Sequence, residues 1–247
     1  MRVRVGKKGG RNQIKRRNRN LNHGISIYKK GRNCNLNISV EKLYKQFIKN
    51  KESNQTLLIG IDGCGGSGKS TLAESLKAID QPNVAVIHMD DFYKTSKQRE
   101  SVDKEIGGNW DCDRVKEQVL IPLSKNQNTR YQRYDWNTDQ ISEWHNVSAR
   151  GVVIIEGCYS LIERFRTYYD FTIWMETPRD VRLSRGIERD GEEKRGLWED
   201  LWMPAEELYI KAQKPMEHAD FVIDGTGKKS DIKDLEINVL KSSAFLL

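Results

Sequence analysis

The chain carries the stretch Gly63-Cys64-Gly65-Gly66-Ser67-Gly68-Lys69-Ser70, which fits the pattern G-x-x-x-x-G-K-[ST]. In this pattern the glycines let the backbone curl, so that successive N–H groups face an anion. The Lys69 ammonium reaches the terminal phosphates of a nucleotide, and the Ser70 hydroxyl is placed to hold Mg²⁺. The stretch, together with Thr71, is therefore predicted to bind the phosphates of ATP or GTP.

The residues on either side of this stretch support the prediction. The run Leu57-Leu58-Ile59-Gly60-Ile61 is short and apolar, which is typical of a buried parallel strand. After the stretch, Leu72 and Leu76 are four residues apart, as on one face of a helix. A strand, a glycine-rich turn and a helix in this order place the anion at a helix N-terminus, where the backbone dipole favours it.

Positive charge is concentrated at the start of the chain. Residues 1–33 contain twelve Lys or Arg and no Asp or Glu. Removing these twelve from the 42 Lys and Arg of the whole chain leaves 30 basic against 35 acidic residues. The high sequence pI of the whole chain, 9.1, is therefore due to this extension, and the rest of the chain is mildly acidic.

The basic extension has no apolar periodicity, so residues 1–36 are predicted to be disordered and residues 37–247 to form the folded domain. Three interpretations of the extension stay open. It is a solvated or non-native segment, a nucleic-acid-binding arm confined to residues 1–33, or an organelle presequence. The charge density of the extension suits phosphate contacts, but Tyr28 is the only aromatic residue there that could stack on a base. The extension also lacks the amphipathic, Ser-rich character that is expected of a presequence.

Composition also bears on the compartment. No stretch approaches 18 apolar residues, so no membrane span is predicted. The four cysteines (Cys34, Cys64, Cys112 and Cys158) are scattered, without metal-site spacing, which predicts a reducing, cytoplasmic setting and no disulfide framework. Trp198, Trp202 and Met203 form either a lid surface or a contact with another copy of the chain, so a homo-oligomer stays open.

Short apolar runs alternate with helical patterns along the body. Strands are predicted at 57–61, 84–88, 152–155, 171–175 and 221–223, and helices at 39–51, 70–77, 113–123, from Thr177-Pro178 and from about Pro204. Residues 94–110 and the segment around Tyr131, Tyr134 and Trp136 are predicted to be loops. The alternation predicts an α/β fold: a three-layer P-loop NTPase with a mostly parallel central sheet, helices on both faces and a small lid.

Carboxylates follow two of the predicted strands. Asp90 and Asp91 come after the second strand, and Glu156 after the third. Ligands bind at the C-terminal edge of such sheets, so these groups are expected near the phosphates. Glu156 with Ser70 is a plausible oxygen set for Mg²⁺, and Asp90 is the candidate base for a hydroxyl nucleophile. Structural capping roles for these carboxylates are the alternative, and position alone does not rank Asp90 above Asp91.

Two further groups of side chains suit a phosphotransfer site. Arg182, Arg185 and Arg189 recur at helical spacing and lead into a polar segment, which predicts a lid at about 189–203 that closes over the γ-phosphate. An ordinary solvated helix face is the alternative. The aromatic residues between Phe92 and Trp136 either stack on a planar ring of the substrate or fill the core, and Tyr93, Tyr134 and Trp136 are the candidate substrate-binding residues among them.

These motifs, in this order, resemble the uridine kinase family, which is grouped with phosphoribulokinase and pantothenate kinase. The resemblance covers about residues 55–225 and is carried by Ile61 to Thr71, Asp90-Asp91-Phe92-Tyr93, Asn109-Trp110-Asp111, Tyr134-Asp135-Trp136, Ile155-Glu156-Gly157 and Arg182-Leu183-Ser184-Arg185. It implies that Asp90 takes the proton of a ribose 5′-hydroxyl and that Glu156 is the Mg²⁺-associated acid. It further implies that Asp111 binds the ribose, that Tyr93 lies near the base, and that Lys69, Arg185 and Arg189 are catalytic residues that contact phosphate.

One element departs from that family. Uridine kinases follow the Tyr-Asp pair with a His and an Arg that recognise the pyrimidine, and residues 134–140 contain neither. The expected activity is therefore ATP- and Mg²⁺-dependent phosphorylation of a small-molecule hydroxyl, with a nucleoside such as uridine or cytidine favoured. Pantothenate, a sugar phosphate or nicotinamide riboside are alternative acceptors. A nucleotide-dependent switch or RNA-associated NTPase that uses the basic extension is a different class of function.

Overall fold

Strand β2 (Leu57–Asp62) lies in the middle of the central sheet and delivers the chain to the phosphate-binding stretch. It is buried along its whole length, which its continuous apolar sequence requires. The computed structural model describes residues 32–49, 51–52, 55–100, 105–227 and 235–243. No helix within these ranges is long and apolar enough to span a membrane.

The strands and helices follow the order that the sequence predicts, with additions at both ends and between the predicted elements. The strands are β1 (Arg32–Ser39), β2, β3 (Val84–His88), β4 (Thr129–Asp135), β5 (Gln140–Val147), β6 (Val152–Glu156), β7 (Phe171–Glu176), β8 (Phe221–Asp224) and β9 (Glu236–Ser242). The helices are α1 (Val40–Ile48), α2 (Lys69–Ile79), α3 (Ser96–Arg99), α4 (Cys112–Val115), α5 (Ile121–Ser124), α6 (Arg179–Asp190), α7 (Arg195–Leu197), α8 (Met203–Gln213) and α9 (Pro215–His218). A π-helical turn joins α4 to α5 (Lys116–Leu120), and another joins α7 to α8 (Trp198–Trp202).

The central sheet has the strand order β1-β9-β8-β7-β2-β6-β3. The five strands from β8 to β3 are parallel to their neighbours, whereas β9 and β1 are antiparallel additions at one edge. The parallel strands all end at one edge of the sheet, so the segments after β2, β3 and β6 lie side by side there.

Alternate residues of each parallel strand enter different cores. Leu58 and Val153 pack under α4 and α5, and Ile59 and Ile154 pack against α1 and α2 on the opposite face. This arrangement is the predicted three-layer α/β fold with helices on both faces, and the prediction is confirmed.

Four predictions about elements are wrong. Residues 94–110, predicted to be a loop, contain the one-turn helix α3. Residues 32–36, assigned to the disordered extension, belong to β1, because they pair with β9 some two hundred residues later. The segment around Tyr131 and Trp136, predicted to be a loop, enters the hairpin of β4 and β5. The strand at Phe221–Asp224 is followed by β9, so it does not close the sheet. Residues 1–31 lie outside the described ranges, so the prediction for them stays a prediction.

Candidate active site

The phosphate-binding stretch forms the turn between β2 and α2, and its glycines meet two steric demands. Gly68 caps α2 with φ of 93°, and Gly66 has φ of 75°, both in the left-handed region. A Cβ atom at Gly66 would also lie 2.6 Å from the carbonyl oxygen of Arg182. These positions therefore require glycine, and they bring the loop into direct contact with α6.

Lys69 is the first residue of α2, and its side chain is 8% exposed. Its Nζ donates to the carbonyl oxygen of Cys64 at 2.9 Å and lies 3.6 Å from the Sγ of Cys158. Burial opposes the charge of Lys69, but Cys158 and the carboxylates of Glu156 and Glu206 outweigh it and raise the pKa. Lys69 therefore stays a cation at the centre of the loop, as a phosphate-binding lysine must.

Glu156, the last residue of β6, is brought to the phosphate loop by the sheet. Its Oε1 accepts a hydrogen bond from the Ser70 hydroxyl at 3.1 Å and lies 2.6 Å from Nδ1 of His88, its register partner on β3. Burial would raise the pKa of Glu156, but the His88 hydrogen bond and the Lys69 charge hold it below its usual value. The same hydrogen bond raises the pKa of His88. The predicted pair Ser70 and Glu156 thus converges, with an ionised carboxylate.

Asp90 and Asp91 occupy a 3-10 turn immediately after β3, and the structure separates their surroundings. The Asp91 carboxylate accepts the hydroxyl of Tyr131 at 2.8 Å, so it ties the turn to β4. The Asp90 side chain is accessible in the cleft and makes no hydrogen bond to a described residue. Enclosure by the cleft, and then the nearby Glu156 carboxylate, raise the pKa of Asp90. Of the two, Asp90 is the one available to a substrate.

Asp62, at the end of β2, holds the floor of the site together. Its carboxylate accepts hydrogen bonds from the backbone N–H groups of Gly63 (2.6 Å), Tyr159 (3.1 Å) and Leu161 (2.8 Å) and from the Tyr209 hydroxyl (2.7 Å). Complete burial raises the pKa of Asp62 to about 6 despite these donors. One carboxylate therefore joins the phosphate loop to the segment after β6 and to α8.

The three arginines of α6 that were predicted to share one face, Arg182, Arg185 and Arg189, do not share one role. Arg182 is buried and pairs with Glu206 (Nη1–Oε2 2.9 Å), and Arg189 pairs with Asp190 (Nε–Oδ1 2.7 Å). The guanidinium of Arg185 donates to carbonyl oxygens of the phosphate loop and of the segment after β8 (Gly66, Gly225, Thr226 and Gly227). Asp190 first, with Asp90 among the further charges, raises the pKa of Arg189. Of the three, Arg189 is therefore the arginine whose charge interacts with the Asp90 carboxylate. The catalytic roles of Arg185 and Arg189 stay predictions.

The predicted lid segment (residues 189–203) is helical over most of its length. It begins with the last turn of α6, turns at Gly191, and continues through α7 into an unbroken helical stretch up to Gln213. Trp198 is buried against the phosphate loop, since a Cβ at Gly65 would lie 2.8 Å from its ring. Trp198 and Met203 are buried within the chain, so of the three residues considered for a subunit contact only Trp202 is left accessible.

Aromatic side chains gather on the other side of Asp90. The ring of Tyr93 contacts those of Trp136 (4.6 Å between centroids), Trp110 (5.0 Å) and Tyr134 (5.8 Å). Tyr134 is buried, whereas Trp136 at the hairpin tip is 55% exposed. The structure thus brings together three of the predicted substrate residues, Tyr93, Tyr134 and Trp136, in one cluster beside the candidate base.

Asp111, the fourth predicted substrate residue, is also the cap of α4. Its Oδ1 accepts the backbone N–H of Arg114 at 3.0 Å, so the helix predicted over 113–123 is capped by Asp111 and begins at Cys112. Asp113 instead lies one residue inside the helix and pairs with Arg164 (Nη1–Oδ1 3.2 Å). The substrate role of Asp111 stays a prediction.

The Phosphoribulokinase / Uridine kinase family matches residues 58–230, more than half of the chain. The chain belongs to this family. It is 26% identical over 202 residues to a uridine kinase of Latilactobacillus sakei subsp. sakei, covering 75% of this chain and 93% of that protein. A solved structure described as a possible uridine kinase from Bacillus stearothermophilus shares 26% identity and a TM-score of 0.58, over 74% of this chain and 96% of that one. Phosphoribulokinase from Rhodobacter spheroides, at 12% identity and a TM-score of 0.50 over 70% and 71% of the two chains, shares the fold.

Family membership confirms that the protein is a P-loop kinase, an ATP-dependent phosphotransferase, as the sequence predicted. The geometry adds site residues that sequence reasoning missed. His88 precedes the Asp-Asp pair, but its contact with Glu156 depends on strands β3 and β6 being neighbours. Cys158, Glu206 and Tyr209 reach the phosphate loop only through tertiary packing, so no local pattern indicates them.

Proposed function

We propose that this phosphotransferase is a Mg²⁺-dependent kinase that phosphorylates the 5′-hydroxyl of a nucleoside such as uridine or cytidine. The observation that carries the proposal is the position of Asp90, an accessible carboxylate between the phosphate loop and the aromatic cluster. An acceptor whose planar ring lies on that cluster would present its hydroxyl to Asp90 and to the terminal phosphate of ATP at once.

The oxygen donors of the loop fit Mg²⁺. The Ser70 hydroxyl and the Glu156 carboxylate lie 3.1 Å apart. In the described ranges no group of three or more His, Cys, Asp and Glu is arranged to hold a metal. Mg²⁺ binds characteristically through one or two protein ligands, substrate phosphates and water. When bound it neutralises charge on the phosphates, and Ser70 with Glu156 would hold it.

The chain's own residues supply the remaining chemistry. Lys69 and the loop amides would hold the β- and γ-phosphates of ATP. Asp90 would orient the acceptor hydroxyl and accept its proton, while the phosphoryl group passes from the ADP oxygen to the hydroxyl oxygen. The products are ADP and the phosphorylated acceptor, with the proton left on Asp90.

The aromatic cluster supports a nucleoside over an aliphatic acceptor. Trp136 and Tyr93 form a tilted pair at the rim of the cleft, and Trp136 is the well-exposed member. Aromatic faces of this kind stack on nucleobases without selecting one base over another. The absence of the His and Arg found in uridine kinases leaves the choice of base to other contacts.

The free thiols support a cytoplasmic setting for this kinase. All four cysteines are free, and Cys158 lies beside the essential lysine. Free thiols at such a position suit a reducing compartment, so we place the kinase in the cytoplasm.

The test is ADP release from Mg²⁺-ATP in the presence of single acceptors: uridine, cytidine, adenosine, nicotinamide riboside, pantothenate or ribulose 5-phosphate. We expect a pyrimidine nucleoside to stimulate release, and Lys69→Ala to abolish it with every acceptor. Stimulation by pantothenate or a sugar phosphate, with none by a nucleoside, would contradict the proposed acceptor and leave the kinase activity in place.

A further inference from the structure

A buried carboxylate from α8 occupies part of the phosphate loop. Glu206 is 6% exposed, and its Oε1 accepts the backbone N–H of Gly65 at 2.6 Å. The N–H groups of this loop are the donors that a phosphate-binding loop offers to nucleotide oxygens. The protein therefore supplies an anion of its own to one of these donors.

The second oxygen of Glu206 is held by an arginine of α6. Its Oε2 pairs with Nη1 of Arg182 at 2.9 Å, and the two side chains are 7% and 6% exposed. The Nε of Arg182 donates in turn to the carbonyl oxygen of Thr177 at 3.1 Å. Glu206 is thus fixed by a buried ion pair between the helices on both sides of the lid segment.

The charge of Glu206 acts on Lys69 of the phosphate loop. It is one of the carboxylates that act on Lys69, and its Oε1 lies 3.5 Å from the Sγ of Cys158, which itself contacts Lys69. A phosphate that approaches the Gly65 N–H, next to Lys69, therefore meets a like charge at short range, in an enclosed site where such repulsion is weakly screened.

We propose that Glu206 is a specificity-determining residue, through which the phosphate loop discriminates between ATP and ADP. The terminal phosphate of ATP would displace the Glu206 carboxylate from the Gly65 N–H and take over part of its pairing with Arg182. ADP ends one phosphate earlier and leaves the contact in place. The inference rests on the ATP-dependent activity of the family, but it does not depend on which hydroxyl compound is the acceptor.

The decisive variant is Glu206→Gln, which keeps the shape and an oxygen that can accept the Gly65 N–H but removes the charge. We expect its affinity for ATP, measured by calorimetry with Mg²⁺ and without acceptor, to rise about fivefold or more. Its affinity for ADP should change less than about twofold, since ADP does not reach the contact. The ratio of the two affinities is the readout, because a merely structural residue would move both together.

Two controls isolate the charge. Glu207→Gln neutralises the next residue, whose exposed carboxylate pairs with Arg179 at 3.4 Å, and it should leave the ratio unchanged. Glu206→Asp keeps the charge on a shorter side chain and should not favour ATP. Equal changes for ATP and ADP in Glu206→Gln, weaker ATP binding in that variant, or an ATP preference in Glu206→Asp would each overturn the proposal.

A measurement on the unaltered protein covers the case in which Glu206→Gln does not fold. Hydrogen exchange of residues 203–213 is compared with saturating ATP and with saturating ADP, both with Mg²⁺ and without acceptor. Displacement of Glu206 predicts faster exchange in this helix with ATP than with ADP. Equal exchange with the two nucleotides would contradict the inference, whereas failure of every acceptor in the ADP-release assay would leave it untouched.

Discussion

The Tyr209 hydroxyl donates a 2.7 Å hydrogen bond to the Asp62 carboxylate, so the helix after the lid segment is anchored directly to the strand that begins the phosphate loop. The carboxylate also accepts three backbone N–H groups. Each of its two oxygens therefore accepts two hydrogen bonds. The geometry of the loop and the position of α8 are therefore set by the same buried group.

We expect Asp62→Asn to destabilise the fold strongly. An amide replaces one acceptor oxygen with a donor that faces other donors, and each buried group left unsatisfied costs about 1–3 kcal/mol. Tyr209→Phe removes a single hydrogen bond and should cost about 0.5–1.5 kcal/mol. Chemical unfolding of the two variants measures the difference, and an Asp62→Asn variant as stable as the wild type would contradict this view of the site.

Asp90→Asn should lower kcat by about 10²–10⁴-fold, the usual contribution of a general base, with nucleotide binding retained. Because the pKa of Asp90 is raised and the base acts when deprotonated, kcat/KM should fall on the acid side at a pH above the ordinary value of 3.8. This acid limb should be absent in the variant. Asp91→Asn is the control: it weakens the contact with Tyr131 and should reduce stability more than kcat. Normal turnover by Asp90→Asn would show that Asp90 is not the base.

The pair of His88 and Glu156 predicts a pH dependence of stability in the absence of Mg²⁺ and nucleotide. The pKa of His88 is raised above 6.5, so its contribution is fully present below that pH and is lost as the pH rises through the raised value. The pKa of Glu156 is lowered below 4.5, so its contribution is lost as the pH falls through the lowered value. Thermal unfolding between pH 5 and 9 should show this loss in the wild type.

The matched variants are His88→Ala and His145→Ala. The first should flatten the decline in stability above pH 6.5. The second removes a half-buried histidine that pairs with Glu143 on β5, away from Glu156, and should keep the wild-type decline. A decline unchanged in His88→Ala would exclude the pair as its source.

Trp136→Ala should raise the KM for the acceptor about tenfold or more, because stacking on an aromatic face contributes about 1–3 kcal/mol per base. Trp144→Ala is the control, since Trp144 lies on the same hairpin, is 45% exposed and packs against Arg130 instead of Tyr93. Initial-rate kinetics at saturating ATP separates the two. Equal KM values for both variants would show that Trp136 does not contact the acceptor.

Two helical glycines near the lid segment should respond oppositely to alanine. A Cβ at Gly186 would lie 2.5 Å from the Trp198 ring, so Gly186→Ala should displace that ring and destabilise by about 1–3 kcal/mol. At Gly196 the nearest atom is 3.9 Å away, so Gly196→Ala should stabilise by up to about 1 kcal/mol through helix propensity. Thermal unfolding of both variants checks the signs, and a stabilising Gly186→Ala would mean that Trp198 does not pack as described.

The parts of the fold that sequence predicts are those with a local signal. The apolar runs of β2 and β6 and the glycine-rich turn between β2 and α2 identify the sheet and its ligand-binding edge. The hairpin is different: Thr129 to Asp135 alternates weakly and carries polar residues on its exposed side, so it reads as a loop. β1 and β9 are strands because they pair with each other across the length of the domain, which no local window contains.

The candidate site divides in the same way. Asp90 and Glu156 are predictable because each follows a strand that the pattern identifies. The contacts of Glu206 with Gly65 and of Arg185 with four carbonyl oxygens depend on how α6 and α8 pack, so the sequence shows the charges but not their partners. Helical spacing predicts one shared face for Arg182, Arg185 and Arg189, yet only Arg185 contacts the phosphate loop, whereas Arg182 pairs with Glu206 and Arg189 with Asp190.

Strands β1 and β9 pair antiparallel at the edge of the sheet, with Arg32 opposite Ser242. The two ends of the described domain are therefore neighbours, at the opposite edge of the strand order from β3 and Asp90. A circular permutant that omits residues 1–31 and 244–247 can therefore join β9 to β1 by a short linker and place its new termini in the exposed turn at residues 125–128, before β4. A permuted enzyme would keep the whole phosphate loop in one continuous strand–turn–helix unit.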